Sequence, residues 1–367
     1  MQVKLLDLTA QYVELRREIR KAIDDVCDAQ ALILGPGVER FEEQLAEYCR
    51  SKHAIGVSSG TDALVCALMA LDVKAGDEVI CPSFTFFATA GSIARLGAVP
   101  VFVEIEPDTF NVDPADVKRK ITKRTKAIMP VHLFGQMADM EGLMAAADGI
   151  PIIEDAAQAI GAKRNGKVAC SVGFCGCLSF YPTKNLGAFG DAGAITTNDD
   201  EYAAKVKLMR VHGSGHQYFH KFVGGNFRID AIQAAVLEVK LKYLDSWHEA
   251  RRRNAAIYNK AFAGSKVVAP AIEKSNHSIY NQYVIRVPTP AGRDQVKHQL
   301  AERGVSTAIY YPIPLHMQEC FAYLGHKEGD FPESERACRE VLALPVYPEL
   351  TAEQVRYVAK TVLEITG

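Results

Sequence analysis

The strongest constraint on this chain is an alternation. Short apolar runs recur at 54–57, 78–81, 99–103, 127–131, 152–154 and 192–196. Between them lie helix-like stretches, such as 62–71 and 88–96. A run that is apolar or β-branched throughout belongs to a strand covered on both faces. Strands alternating with helices build a mostly parallel sheet with helices on both sides. The predicted class is therefore α/β.

From about Ile229 the pattern changes. Residues 229–259 form one long helix-like run rich in Ala, Leu, Glu, Lys and Arg. A smaller α+β region follows, with strand candidates at 283–287 and 306–310. The 367 residues suffice for about two domains at roughly 150 residues each. The pattern predicts a large α/β domain over 1–240 and a small C-terminal α+β domain over 241–367. The opening helix, 10–27, is expected to pack with the small domain.

Composition narrows the functions. The chain has 42 basic and 44 acidic residues, a net charge of −2. Nucleic-acid and anionic-membrane binders need clustered positive charge, so neither partner is expected. No apolar run reaches the ~18 residues of a membrane span. The first twenty residues carry Lys4, Asp7, Glu14, Arg16 and Arg17, unlike a signal peptide. Nine scattered cysteines then predict free thiols in a reducing cytoplasm. Only Cys175 and Cys177 are close, and one C-x-C falls short of the four ligands of a structural zinc. No metal is expected.

Sheets of this type place ligands where strands end and loops lead into helices. The first such loop is Val57-Ser58-Ser59-Gly60-Thr61-Asp62. It is either an anion site at a helix start or an ordinary capped helix. It matches no phosphate-loop pattern, and no G-x-G-x-x-G follows the first strand, which disfavours an NTPase or nicotinamide enzyme. The second loop carries Phe84, Phe86 and Phe87, which pack in a core or stack on a planar ligand. The third ends a strand with Glu154 and Asp155, followed by Gln158. A carboxylate there caps a helix or, where poorly solvated, wants a cationic partner such as a pyridinium nitrogen.

The fourth and most specific stretch is Ser179-Phe180-Tyr181-Pro182-Thr183-Lys184-Asn185-Leu186-Gly187, followed by Gly190, Asp191 and Gly193. Most lysines are solvated surface charges. Lys184 instead follows an apolar strand, 177–181, and precedes glycines that permit close backbone approach. A secluded lysine acts as an amine nucleophile toward carbonyls. Together, an anion cradle, an aromatic, a strand-end carboxylate and a buried amine are the parts that hold pyridoxal 5′-phosphate.

On these motifs the sequence resembles the DegT/StrS family of pyridoxal-phosphate-dependent sugar aminotransferases. The resemblance runs from Asp7-Leu8-x-x-Gln11-Tyr12 to Leu344-Pro345-Val346-Tyr347-Pro348. It is carried by Ser59-Gly60-Thr61-Asp62-Ala63-Leu64, Glu154-Asp155-Ala156-Ala157-Gln158, Ser179–Lys184, and Gly225–Asp230 with Gln233-Ala234-Ala235. It implies the aspartate aminotransferase-like fold, fold type I. It also implies roles. Lys184 forms the internal Schiff base and shuttles protons. Asp155 pairs with the pyridinium nitrogen, and Gln158 contacts the phenolic oxygen. Gly60, Thr61 and Ser179 hold the phosphate, and Phe86 stacks on the ring, with Phe84 and Phe87 as neighbours that could do so instead. Asn226 reaches the phosphate of the other subunit, which implies a homodimer with a shared site. Arg228 and Tyr311 hold the sugar or the donor's carboxylate.

His212, His216 and His220 recur every four residues, but Gly213 and Gly215 interrupt any metal-binding helix face. That segment, and Tyr310-Tyr311-Pro312-Ile313-Pro314-Leu315-His316, resembles relatives that aminate the 3-keto position of nucleotide sugars. His220, Tyr310 and His316 are thus substrate-pocket candidates, the two histidines with a structural role as the alternative. Some relatives acting on a keto-glucuronate carry His in place of Tyr310, so a uronic acid is not favoured. The expected reaction moves an amino group from L-glutamate to a nucleotide-linked ketosugar, UDP- or dTDP-linked, at C3, for surface polysaccharide or other amino-sugar synthesis. The alternatives are a 4-keto acceptor and a non-catalytic regulator that keeps the fold. Sugar dehydratases of this fold carry His where Lys184 stands, which disfavours that chemistry.

Overall fold

A computed structural model of the chain describes residues 1–216, 218–288 and 292–367. Seven strands form its centre: β1 His53–Val57, β2 Glu78–Pro82, β3 Val99–Val103, β4 Thr125–Ile128, β5 Ile153–Asp155, β6 Cys175–Ser179 and β7 Gly193–Thr197. They pair as a four-stranded and a three-stranded sheet. Parallel bridges Ile128–Ile152 and Val131–Asp155 join the two. The combined order is β1-β7-β6-β5-β4-β2-β3.

Every strand but β7 runs the same way. The exception has a local cause. β6 and β7 are joined by residues 180–192, with no helix between them. A parallel return requires a crossover, usually helical, so this loop reverses the chain and β7 pairs antiparallel to β6 and β1. All five positions of β2 and of β7 are buried, as their largely apolar and β-branched runs predict, with Glu78 at the start of β2 bonded to Thr122 and Arg124. The helices Gly60–Ala70, Asp200–Met209 and Pro36–Cys49 flank the sheet.

Three expectations are adjusted. The run 229–259 is two helices, Ala231–Leu241 and Leu244–Phe262. The first buries Ala234 and Leu237 in the core around the sheet. The second keeps Leu244 and Trp247 in that core and carries Tyr258 and Phe262 into a C-terminal core, so the chain changes cores along this helix. The opening helix spans Leu8–Ala29 and packs Leu15 and Ile19 into the sheet-side core, against the Ala231–Leu241 helix. Among the described residues it is Val3 and Leu6, before this helix, that reach the C-terminal core. The strand foreseen at 306–310 is reduced to one bridge, Ala308–Ala343. Pro312 and Pro314 follow it, and proline cannot donate to a ladder.

The C-terminal core centres on the antiparallel pair Tyr283–Arg286 and Val341–Leu344. The helices Gly292–Glu302, Pro332–Glu340 and Ala352–Thr366 surround it. Among the described residues no helix is long and apolar enough to cross a membrane.

Candidate active site

The carboxyl ends of β1, β5 and β6 and the start of β7 meet at one edge of the sheet. Register puts Val57, Gly193 and Ser179 side by side on adjacent strands. The Gly60–Ala70 helix starts there. Ser59 caps it, its Oγ accepting from the Asp62 amide at 3.0 Å. The first-turn amides of Gly60 and Thr61 have no acceptor within the helix and carry its positive end. Gly60 is required because a Cβ there would lie 2.5 Å from Ser179 Cβ and 2.9 Å from Ser179 Oγ. A Cβ on Gly193 would lie 2.5 Å from the Ser59 carbonyl oxygen. These close approaches bring Gly60, Thr61 and Ser179 to one point, where amides and hydroxyls can receive a phosphate.

Asp155 ends β5 and is only 4% exposed. Thr89 Oγ1 donates to its Oδ2 at 2.8 Å, and the Ala157 amide donates to its Oδ1 at 3.2 Å. No cation forms an ion pair with it among the described residues. Burial raises its carboxyl above the usual range, opposed by these two donors and by the nearby charges of Lys184 and His132. Its neighbour Glu154 points to the opposite side of the strand, fully buried. Glu154 bonds His132 at 2.7 Å and accepts from the amides of Cys170, Val172 and Gly173. The two adjacent acids thus divide the work. Glu154 fixes the loop before β6, and Asp155 faces the site.

Lys184 sits half-buried in the 180–192 loop, its amide donating to Tyr181 O at 2.8 Å. Its Nζ makes no hydrogen bond or ion pair among the described residues. Burial pushes the amine down to about 8, although the Asp155 charge opposes this. Close to neutrality such an amine is a ready nucleophile and base.

Gln158 and Tyr311 lie beside Asp155. Gln158 Nε2 donates to the Tyr311 hydroxyl at 3.0 Å, and its Oε1 accepts from the Phe134 amide at 2.8 Å. Burial pushes the Tyr311 phenol well up, so it stays protonated. Phe86 is 57% exposed, with its ring 6.2 Å from that of Tyr311. Phe84 is 1% exposed and spent on packing, while Phe87 stacks on Phe321 yet stays 46% exposed. Phe86 and Phe87 are thus the two aromatics of this loop open to a planar ligand, Phe86 the more exposed.

The remaining predicted residues are spread more widely. Arg228 bridges to Val57 at the end of β1, half-buried, with its Nε unpartnered. Asn226 is exposed two residues earlier. Tyr310 is half-buried beside Tyr311 and lines a cavity of about 120 Å³ with Thr183 and Asn281. His220 is exposed on a hairpin, Ser214–His216 with Phe219–His220, its Nδ1–H donating to His212 O at 2.9 Å. That hairpin replaces any helical histidine face. His316 is buried and bonds Ser83 Oγ at 2.6 Å and Glu335 at 3.2 Å. Both its ring nitrogens are engaged, which leaves none for a substrate. It clasps the 310–317 segment to the loop after β2. Cys175 and Cys177 are buried in β6 with free thiols, and no metal-binding group of side chains occurs among the described residues.

The site fits pyridoxal phosphate on three counts: a buried carboxylate with no ion pair among the described residues, a nearby half-buried amine likewise without one, and a cradle that a Cβ would fill. A family model described as the DegT/DnrJ/EryC1/StrS aminotransferase family matches residues 13–363. The chain belongs to this family. The aminotransferase is similar to a Geobacillus stearothermophilus protein named a pleiotropic regulatory protein, 51% identical over 99% of this chain and 98% of that one. It is also similar to UDP-N-acetyl-3-dehydro-alpha-D-glucosamine 3-aminotransferase of Acidithiobacillus ferrooxidans, 41% identical over 98% and 97%. Among solved structures it is similar to Streptomyces venezuelae DesV in complex with a ketimine intermediate. The TM-score is 0.96 at 41% identity, covering 100% of this chain and 98% of that one.

Thr89 is the site residue of the aminotransferase that its sequence did not announce. It lies in the helix Ala88–Arg95, after the strand β2 and far from β5 in sequence, and a lone threonine in a first helical turn carries no signal.

Proposed function

We propose that this chain is a pyridoxal-phosphate-dependent aminotransferase that moves an amino group from L-glutamate to C3 of a UDP- or dTDP-linked ketosugar. The observation that carries the reading is the proximity of Lys184 and Asp155, an amine and a buried carboxylate that feel each other's charge yet form no ion pair among the described residues. The 3-keto preference rests on the relative that acts on a 3-dehydro sugar nucleotide at 41% identity.

Gly60, Thr61 and Ser179 would hold the phosphate, and Asp155 would accept from the ring nitrogen. Gln158 would contact the phenolic oxygen, and Phe86 would cover the ring face. When bound, the cofactor supplies an electron-withdrawing ring that stabilises the carbanion left by proton removal. With the cofactor held there, Lys184 Nζ would be the acid–base group that moves a proton to and from the substrate carbon. The hydroxyl of Thr89 and the amide of Ala157 keep Asp155 oriented throughout. Arg228, Tyr310, Tyr311 and His220 are the polar groups available to the substrate.

Residues 1–240 would form the cofactor domain and 241–367 the small domain closing over substrate. A second copy would complete the site through Asn226. Near that residue Tyr218, Phe219 and Val223 are 84%, 75% and 86% exposed, apolar surface that a partner would cover. A product for surface polysaccharide and a cytoplasmic location accord with a nucleotide-sugar substrate.

The test is direct. The purified protein should be yellow, and the band should fade with glutamate. Incubation with glutamate and a panel of UDP- and dTDP-linked 3-keto and 4-keto sugars should release 2-oxoglutarate with the 3-keto members. Turnover confined to 4-keto sugars would overturn the position. The relative named as a regulator supports a second reading, a binding protein that keeps the fold. A colourless protein that takes up no cofactor would favour it.

A further inference from the structure

The loop carrying Lys184 is tied at Asn185, whose Nδ2 donates to Ile279 O at 3.2 Å, and at two further points from one helix. Residues 180–192 close on themselves: the Phe180 amide donates to Ala192 O, and the Ala188 amide to Phe180 O, both at 2.8 Å. Gly187 admits no side chain, because a Cβ would collide with the Pro182 carbonyl. The Gly187 carbonyl itself accepts from Lys240 Nζ at 2.5 Å. Lys240 is 4% exposed and forms no ion pair among the described residues. Its ammonium also lies 5.9 Å from the ring centres of Phe189 and Trp247, and Phe189 belongs to the same loop. The Phe189 amide in turn donates to Gln233 Oε1 at 2.8 Å.

Gln233 and Lys240 are seven residues apart on the Ala231–Leu241 helix, about two turns, and so share one face. Between them, Ala234 and Leu237 anchor that helix in the core at 0% exposure. A buried cation is costly to keep. Here its hydrogen bond goes to the loop that presents Lys184, and one of its two ring contacts, Phe189, belongs to the same loop. The motif Gln233-Ala234-Ala235, which the catalytic chemistry leaves unexplained, also acquires a purpose.

We infer that Lys240, with Gln233, is a positioning residue for Lys184: its bond to the Gly187 carbonyl sets the loop that aims the Lys184 amine. This rests on reading Lys184 as the cofactor lysine.

The experiment follows covalent attachment of pyridoxal phosphate to the apo-protein. Samples are trapped with borohydride, which reduces the carbon–nitrogen double bond, and the labelled peptide is identified by mass. Amide hydrogen exchange of the apo-protein is measured in parallel. Lys240→Met should attach cofactor about tenfold to a hundredfold more slowly, the scale of a small misplacement of a reacting group. Its exchange should quicken in peptides covering 180–192 and stay unchanged elsewhere. Lys240→Arg, which keeps a donor, should recover most of the rate. Attachment at the wild-type rate in Lys240→Met would overturn the proposal. So would faster exchange throughout the chain with no recovery in Lys240→Arg, the mark of a purely structural lysine. Should Lys240→Met fail to fold, Gln233→Leu carries the same expectations and the same refutation. A wild-type label on a lysine other than Lys184 would instead refute the reading beneath the proposal, and the wild type alone reveals it.

Discussion

Thr89 donates its hydroxyl proton to Asp155 Oδ2 at 2.8 Å, inside a part of the molecule where Thr89 is 0% and Asp155 4% exposed. A second hydroxyl, Thr85 Oγ1, lies 3.2 Å from Thr89 Oγ1. A carboxylate that must stay ionised under burial depends on such donors.

Thr89→Val removes the donor and keeps the shape. A hydrogen bond to a charged group contributes roughly 1.5–3 kcal/mol, so cofactor affinity and turnover should each fall by about tenfold or more. Titration of apo-protein with pyridoxal phosphate, monitored by absorbance, checks the first, and steady-state rates the second. An unchanged dissociation constant would show that Ala157 alone orients Asp155.

Lys184→Ala should lose turnover by roughly 10³-fold or more, the scale of a lost acid–base catalyst. The variant should still retain cofactor non-covalently, because the cradle and Asp155 are untouched. A spectrum without the wild-type yellow band, with cofactor recovered on denaturation, is the expected signature. Undiminished turnover would remove Lys184 from the mechanism.

The pH dependence of cofactor capture follows from the Lys184 amine at about 8. The neutral amine is the attacking form, and its fraction rises as pH passes upward through that value. Capture by apo-protein should therefore accelerate with pH and level off above a midpoint near 8, not near the ordinary lysine value. Stopped-flow absorbance across that range reads the midpoint. The linkage has the same sign. A depressed lysine binds fewer protons folded than unfolded between about 8 and 10.5, so its burial penalty is fully present below 8 and eases as pH rises through that window.

Gly60→Ala inserts a methyl group 2.5 Å from Ser179 Cβ. Forcing a carbon into a filled space costs about 1–3 kcal/mol, so the melting temperature should drop by several degrees. Binding of pyridoxal phosphate should weaken, while binding of pyridoxal, which has no phosphate, should change little. Equal losses for both ligands would show that the cradle does not hold the phosphate.

Local sequence made much of this legible. The largely apolar runs at 78–81 and 192–196 are both fully buried, because strands covered on both faces need no polar alternation. The contrast between Lys184 and an ordinary surface lysine was visible too, since an apolar strand and close-packing glycines flank it. The direction of β7 was not readable from its residues. A buried strand has the same composition in either direction, and only the lack of a crossover helix over 180–192 decides it. His316 shows the reverse difficulty. Its neighbours in sequence, Pro314 and Leu315, give no hint that Ser83 and Glu335 engage both its nitrogens.

By itself, then, the sequence determined the class of sheet, the family and the cluster of loops that carries the chemistry. Those depend on periodicity and on residues adjacent along the chain. Only the tertiary structure decided that Phe84 is packed away, that Thr89 serves Asp155, and that Lys240 serves the Lys184 loop. Each of these is a contact between segments distant in the sequence. Burial then gives such a contact its weight, because a polar group removed from water has few partners to choose among.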